Sequence, residues 1–220
     1  LGDDIYRIDS ATDVTTEAAG AGTDTIEIEA TYNPGTYVLG ANFENVLVYG
    51  ALNVNVTGNA SNNRLIGNDG NNIIDAGTGN DRIIAGAGND TLTGGTGTDV
   101  FEWNLADKGT RNATGSLAAA DVITDFNMTA YNNINATAPT GGDALDLRDL
   151  LSGEASSANN IGNLANYIDI VQSGANTVMR ISYDGGFTGG TYNAAVQDQV
   201  ITFNGINMFT TYSAGTNDAT

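Results

Sequence analysis

The chain has 220 residues, enough for one elongated domain or two small ones. Its 26 acidic residues against 7 basic ones leave a formal charge of −19, which argues against nucleic acid as a partner, because phosphate contacts need Lys and Arg, and suits a protein that collects cations. With neither Cys nor His, a disulfide framework, zinc-finger sites, His-based triads, thiol nucleophiles and HExxH chemistry are excluded.

No apolar stretch approaches the length of a membrane helix, so membrane insertion is not expected, and no signal peptide stands at the N-terminus. Hydrophobic residues make up 40% of the chain and recur at regular spacing, which predicts order despite the charge. LGDDIYR (1–7) and AGAGTDTIE (19–27) share a pattern that becomes regular further on, so the chain is expected to begin inside a repeat. Residues 8–39 add Asp9, Asp13 and Glu17 around the strand-like GTDTIEIEA. GANFENVLV (40–48) and YGALNVNVT (49–57) continue the register with Leu47 and Val56 at its apolar place, although Val54 interrupts the acidic place.

From Gly58 the nonapeptides are strict: GNASNNRLI, GNDGNNIID, AGTGNDRII, AGAGNDTLT and GGTGTDVFE, ending at Glu102. The fourth place holds Gly70, Gly79, Gly88 and Gly97 after an initial Ser61. The sixth holds Asn63, Asn72, Asp81, Asp90 and Asp99, and the eighth Leu65, Ile74, Ile83, Leu92 and Phe101. Glycine lets the backbone turn sharply and aim carbonyls inward, and the sixth-place carboxylate points into the same turn. The last three residues form a short strand with one inward side chain. Two nonapeptides then make one coil of a solenoid, coils stack as parallel strands about 4.8 Å apart, and each loop faces the loop two repeats later. A single buried residue per nine is thin support for such a coil, and carboxylates stacked one coil apart repel. A hard divalent cation between them reverses the sign, and ligation by oxygen alone selects calcium over zinc.

These nonapeptides resemble the repeats-in-toxin (RTX) motif GGxGxDxUx, most closely over 76–102. The resemblance implies an all-β fold, a parallel β-roll that binds Ca2+ between loops one coil apart. Carried onto this sequence, Asp81 and Asp99 flank one site, Asp90 and Asn72 another, and Asn63 with Asp81 a third. Backbone ligands would come from loops containing Gly77, Gly79, Gly86, Gly88, Gly95 and Gly97. DVTTEAAGAGTDT resembles linker turns between RTX blocks, which implies that Asp4, Asp13 or Asp24 also ligates calcium. A solvated acidic loop is the other reading.

After Glu102 the period vanishes, so the expected divisions are a degenerate roll with linker turns (1–57), the nonapeptide roll (58–102) and a β-rich C-terminal cap (103–220). In the cap, VITDF, NYIDIVQ, ANTVMRISY and DQVITFNG read as strands, GGFTGG as a hairpin or flexible loop, and LDLRDLL (145–151) as a short helical turn with inward Leu side chains. Trp103, beside Phe101, is the natural plug for the last coil. FEWNLADKGT, DVITDFN and GGDALDLRDLLSGE resemble the C-terminal region of large RTX adhesins exported by type I secretion, over about residues 101–205. That resemblance implies type I secretion machinery as a partner and a secreted or cell-surface location; a monomer is expected. Asp121, Asp125, Asp143 and Asp146 are then candidates for a further calcium site, with helix capping and solvation as alternatives. The chain stops at SAGTNDAT, so the export signal is expected to be cut short.

Three functions compete. The first is a calcium-dependent folding, capping and export module of an adhesin, with no catalysis of its own. The second is the equivalent domain of an RTX exoenzyme, a protease or lipase with its catalytic part upstream; no GxSxG or HExxH is present here. The third is a surface- or ice-binding roll, but the third place runs Ala60, Asp69, Thr78, Ala87 and Thr96, too irregular for a repeating array.

Overall fold

The computed structural model describes residues 2–20, 22–104, 119–128, 142–151, 166–187 and 191–208. The GGFTGG stretch from 188 onward, the segment 105–110 and the terminal SAGTNDAT lie outside the described residues. Strands from successive half-coils fall alternately into two sheets. The first stacks β1 (Ile5–Ile8), β2 (Thr25–Ile28), β4 (Asn45–Val48), β6 (Arg64–Ile66), β8 (Arg82–Ile84), β10 (Val100–Glu102) and β12 (Ala144–Asp146), each parallel to the next. The second runs β3 (Thr36–Val38), β5 (Asn55–Thr57), β7 (Ile73–Asp75), β9 (Thr91–Thr93) and β11 (Ala119–Ile123), also parallel. β15 (Gln199–Phe203) joins β11 in parallel, and β14 (Asn176–Ile181) and β13 (Ile168–Ser173) follow antiparallel. The fold is an all-β parallel solenoid of about five turns with an additional mixed-sheet region.

The strict repeat sets the register. Leu65, Ile83 and Phe101 are successive partners in one sheet, Val56, Ile74 and Leu92 in the other, and all six are buried. One inward side chain per three-residue strand builds two facing columns that form the core. Toward the N-terminus the coils lengthen: Ile26 partners Tyr6, and Val46 partners Ile26, each 20 residues on, while Leu65 follows Val46 by 19. This corrects the sequence-based register. Val46, not Leu47, occupies the core column, with Val48 buried beside it, because one extra residue lies between the eighth place of this repeat and the start of the next.

The nine-residue period stops at Glu102, but stacking does not. Ile123 partners Leu92, 31 residues on, and Leu145 partners Phe101, 44 residues on. The helical turn expected for LDLRDLL therefore starts late: Leu145 and Asp146 belong to β12, and only then does the chain turn, the Leu151 N–H donating to the Leu147 carbonyl at 3.1 Å. Pairing with β10 overrides the local helical pattern, while Leu150 is buried as the pattern requires. Trp103 is buried too, and Phe126 bridges Phe101 and Phe203 at centroid distances of 6.0 and 5.2 Å, joining the roll core to the mixed region.

Candidate metal centre

Where each strand of the first sheet begins, the sixth-place residues form a ladder. Asn63 N–H donates to Asp81 Oδ1 at 2.7 Å, Asp81 N–H to Asp99 Oδ1 at 2.9 Å, and Asp99 N–H to Asp143 Oδ1 at 3.1 Å. The second sheet repeats the arrangement: Asn72 N–H donates to Asp90 Oδ1 at 2.7 Å and Asp90 N–H to Asp121 Oδ1 at 2.8 Å. Each carboxylate thus receives a backbone donor from the preceding coil, and all of these aspartates are buried. Oδ2 of Asp81 and of Asp99 is buried without a hydrogen-bond partner. A buried carboxylate oxygen with no donor is costly unless a cation or proton meets it.

Electrostatics agree. Burial pushes the Asp81 carboxyl up to about 6, opposed by the Asn63 N–H and reinforced by the charge of Asp99. Burial likewise raises Asp99 and Asp143. Hard oxygen ligands, orphaned and held one coil apart, fit calcium. The facing loops leave room only for backbone. Gly77, Gly79, Gly86, Gly88, Gly95 and Gly97 all have positive φ. A Cβ on Gly95 would strike the Gly77 carbonyl oxygen, and one on Gly97 that of Gly79, so these loops stack backbone on backbone.

Asn63 and Asn72 behave differently from the aspartates. Their Oδ1 atoms accept N–H groups of their own loops, from Asn59 at 2.8 Å and Asn68 at 3.1 Å. Asn72 Nδ2 donates to the Val54 carbonyl at 2.8 Å, tying the side chain to the preceding coil by a hydrogen bond, as a cation would tie a carboxylate.

The four C-terminal candidates do not converge on one site. Asp121 extends the second ladder and Asp143 the first. Asp125 accepts the N–H groups of Gly94 and Gly95 at 3.0 and 2.7 Å. Asp146 is paired with Arg148 at 2.5 Å and lies 3.7 Å from Arg82, and its carboxyl is held low chiefly by Arg148. Asp121 and Asp143 join ladders in opposite sheets, whereas Asp125 and Asp143 come near each other beside Asp99: Asp143 Oδ2 accepts the Asn127 N–H at 2.7 Å, and the charge of Asp125 adds to burial in raising both Asp143 and Asp99. Among the N-terminal candidates, Asp13 closes its own turn by accepting N–H groups of Asp9 and Ser10 at 2.9 and 3.1 Å. Asp4 and Asp24 do come together: Asp4 N–H donates to Asp24 Oδ1 at 2.8 Å, and the Oδ2 of buried Asp24 has no partner. Sequence reasoning passed over two residues. Glu44 takes the sixth-place role, its Oε2 accepting the Asp24 N–H at 2.8 Å, and a 19-residue coil would have revealed it. Glu17 lies beside Asp4 and Asp24 from outside the repeat register, with no spacing signal to mark it.

Stacked coils, inward glycine loops and buried carboxylate ladders define a calcium-binding β-roll. The family model described as the RTX calcium-binding nonapeptide repeat (4 copies) matches residues 55–83 and 75–102. Residues 55–102 carry RTX repeats of the kind found in secreted bacterial proteins, and these imply calcium binding. No curated protein matches the chain. Among solved structures, the chain is similar to the AlgE6R3 subunit of a mannuronan C5-epimerase from Azotobacter vinelandii, at 20% identity and a TM-score of 0.46, covering 86% of this chain and 94% of that one. It is also similar to the AlgE6R2 subunit of the same epimerase, at 23% identity and a TM-score of 0.41, covering 72% and 88%.

Proposed function

We propose that the chain is a calcium-triggered folding, capping and export module from the C-terminal end of a secreted bacterial RTX adhesin, acting as a monomer and carrying no catalysis of its own. The observation that carries this reading is the ladder from Asn63 through Asp81 and Asp99 to Asp143, with Oδ2 of Asp81 and Asp99 buried and unpartnered. Without a cation the column repels itself, and the excess of acidic residues elsewhere adds to the repulsion. In a cytosol poor in calcium the chain stays extended enough to pass through a type I secretion channel. Outside, calcium binds in the weak range of extracellular modules, about 10⁻⁴–10⁻³ M, and the roll closes. The resemblance of residues 101–205 to the C-terminal regions of exported adhesins supports the adhesin over an exoenzyme.

Circular dichroism of the full chain, titrated with calcium and reversed with chelator, tests the trigger. The expected result is a change from largely disordered to β-rich. Magnesium should substitute poorly, since it demands tight octahedral geometry and keeps its waters. A complete β spectrum and an unchanged melting temperature in excess chelator would overturn the reading.

A further inference from the structure

Asp4, Glu17 and Asp24 lie outside the matched repeats, yet one carboxylate oxygen from each falls within 4.8 Å of the other two. Asp4 and Asp24 stand just before β1 and β2, while Glu17 comes from the connection between those strands. Glu17 is held in place from three sides. Its carbonyl accepts Asn42 Nδ2 at 2.9 Å, its Oε1 accepts the Ala18 N–H at 2.7 Å, and its Oε2 accepts the Tyr6 hydroxyl at 2.6 Å. Asn42 itself adopts a φ of 70°, uncommon for a residue with a side chain.

The second observation is Asp24. It is fully buried; its Oδ1 takes the Asp4 N–H, and its Oδ2 has no hydrogen-bond partner. If Glu17 served only as an acceptor for Tyr6, that buried oxygen would remain uncompensated beside two further carboxylates.

We propose that Glu17, from outside the repeat register, joins the sixth-place residues Asp4 and Asp24 as a third carboxylate ligand of a calcium site, which clamps the connection between β1 and β2 onto the first two coils. Three carboxylates offer a hard, oxygen-only, triply negative donor set. Asp4 is exposed, so waters can complete the larger and more variable calcium shell. Through Asp4 and Asp24 the site rests on the calcium-roll reading, but not on the export role, and Glu17 belongs to neither the ladder nor the matched repeats.

Calorimetric titration of the full chain with calcium reads the stoichiometry. Terbium luminescence excited through tyrosine reads the position, because the Tyr6 hydroxyl is 2.6 Å from Glu17 Oε2. Glu17→Gln should titrate a single ion short of the parent, with its calcium-induced β spectrum intact. It should also lose a component of tyrosine-sensitised terbium emission that Asp99→Asn retains. Tyr6→Phe should lose that emission component but keep the parent stoichiometry, separating the sensitiser from the ligands. Unchanged stoichiometry in Glu17→Gln, or emission that survives in it, overturns the proposal. Loss of calcium-induced folding in Asp99→Asn but not in Glu17→Gln bears on the roll alone, so the two readings fail separately.

Discussion

Asp99 and Asp143 lie 44 residues apart in sequence and one coil apart in the roll, where the Asp99 N–H donates to Asp143 Oδ1 at 3.1 Å. Asp81 stands in the same relation to Asp99, at 2.9 Å and 18 residues. The repeat period alone assigns Asp81 to two loop pairs and Asp99 to one, because the period ends at Glu102. The continued ladder gives both residues a carboxyl-bearing neighbour on each side or an Asn in its place. Asp81→Asn and Asp99→Asn keep the volume and drop the charge. Both should weaken calcium binding alike, by at least roughly tenfold, the lower end of what loss of an outer partner of a metal ligand costs. Calorimetric titration of the two variants against the parent decides it, and loss of more ions from Asp81→Asn than from Asp99→Asn would restore the simpler count.

The same column predicts opposite pH dependences with and without calcium. Burial holds Asp81 up at about 6 and raises Asp99 and Asp143, so the calcium-free roll binds protons more tightly than the unfolded chain does. Stability in chelator should therefore rise as pH falls through about 6 toward the ordinary carboxylate range, and be lost as pH rises back. Calcium must displace those protons, so its affinity should strengthen as pH rises through the same region. Far-ultraviolet β content in chelator and calcium dissociation constants across that range are the measurements. A β content in chelator that peaks above neutrality would contradict the assignment.

Legibility in the sequence followed the repeat. Where coils are 18 residues long, Leu65, Ile83 and Phe101 could be placed by counting, and the facing of Asp81 on Asp99 followed from it. Where coils lengthen, counting fails by one residue, which put Leu47 in the place of Val46 and hid Glu44. Past Glu102 the coils lengthen to 31 and 44 residues, and no local pattern says which later strand closes them. Asp121 and Asp143 were legible as acidic residues but not as members of different columns, because pairing across long insertions is decided by packing. Phe126, set between Phe101 and Phe203, is part of that packing.

The stacked loops make a sharp distinction among glycines. Gly97 has a φ of 143°, and a Cβ there would run into the Gly79 carbonyl oxygen. Gly174, in the β13–β14 hairpin, has a φ of 63°, and a Cβ added to it would meet no described atom within 4 Å. Gly174→Ala should cost only the backbone term, about 1–2 kcal/mol. Gly97→Ala must also push two loops apart where the Gly79 N–H meets the Thr96 carbonyl at 2.9 Å, and should lose more stability and calcium affinity together. Urea melts in saturating calcium, with calorimetry on each variant, check this; equal losses would mean the loops can separate freely.

One carboxylate fastens the mixed region to the roll. Trp103 Nε1 and Gln199 Nε2 each donate to Asp121 Oδ2 at 2.7 Å, while its Oδ1 takes the Asp90 N–H at 2.8 Å. All four residues are buried, and Gln199 opens β15, through which β14 and β13 are attached. Hydrogen bonds to a charged group contribute about 1.5–3 kcal/mol, so Trp103→Phe and Gln199→Leu should each destabilise the calcium-bound protein by about that much. Either variant leaves Asp121 with one of these donors, whereas the double variant removes both from a buried charge, so its loss should exceed the sum of the single losses. Trp103 is the sole tryptophan, so in Gln199→Leu its fluorescence reads the same environment that the denaturation curve reads globally. In that variant the indole emission should respond to denaturant earlier than the far-ultraviolet β signal, as the mixed region loosens from the coils. Additive losses below about 1 kcal/mol each, with the two signals coincident, would show that apolar packing around Phe126 and not this carboxylate holds the two parts together.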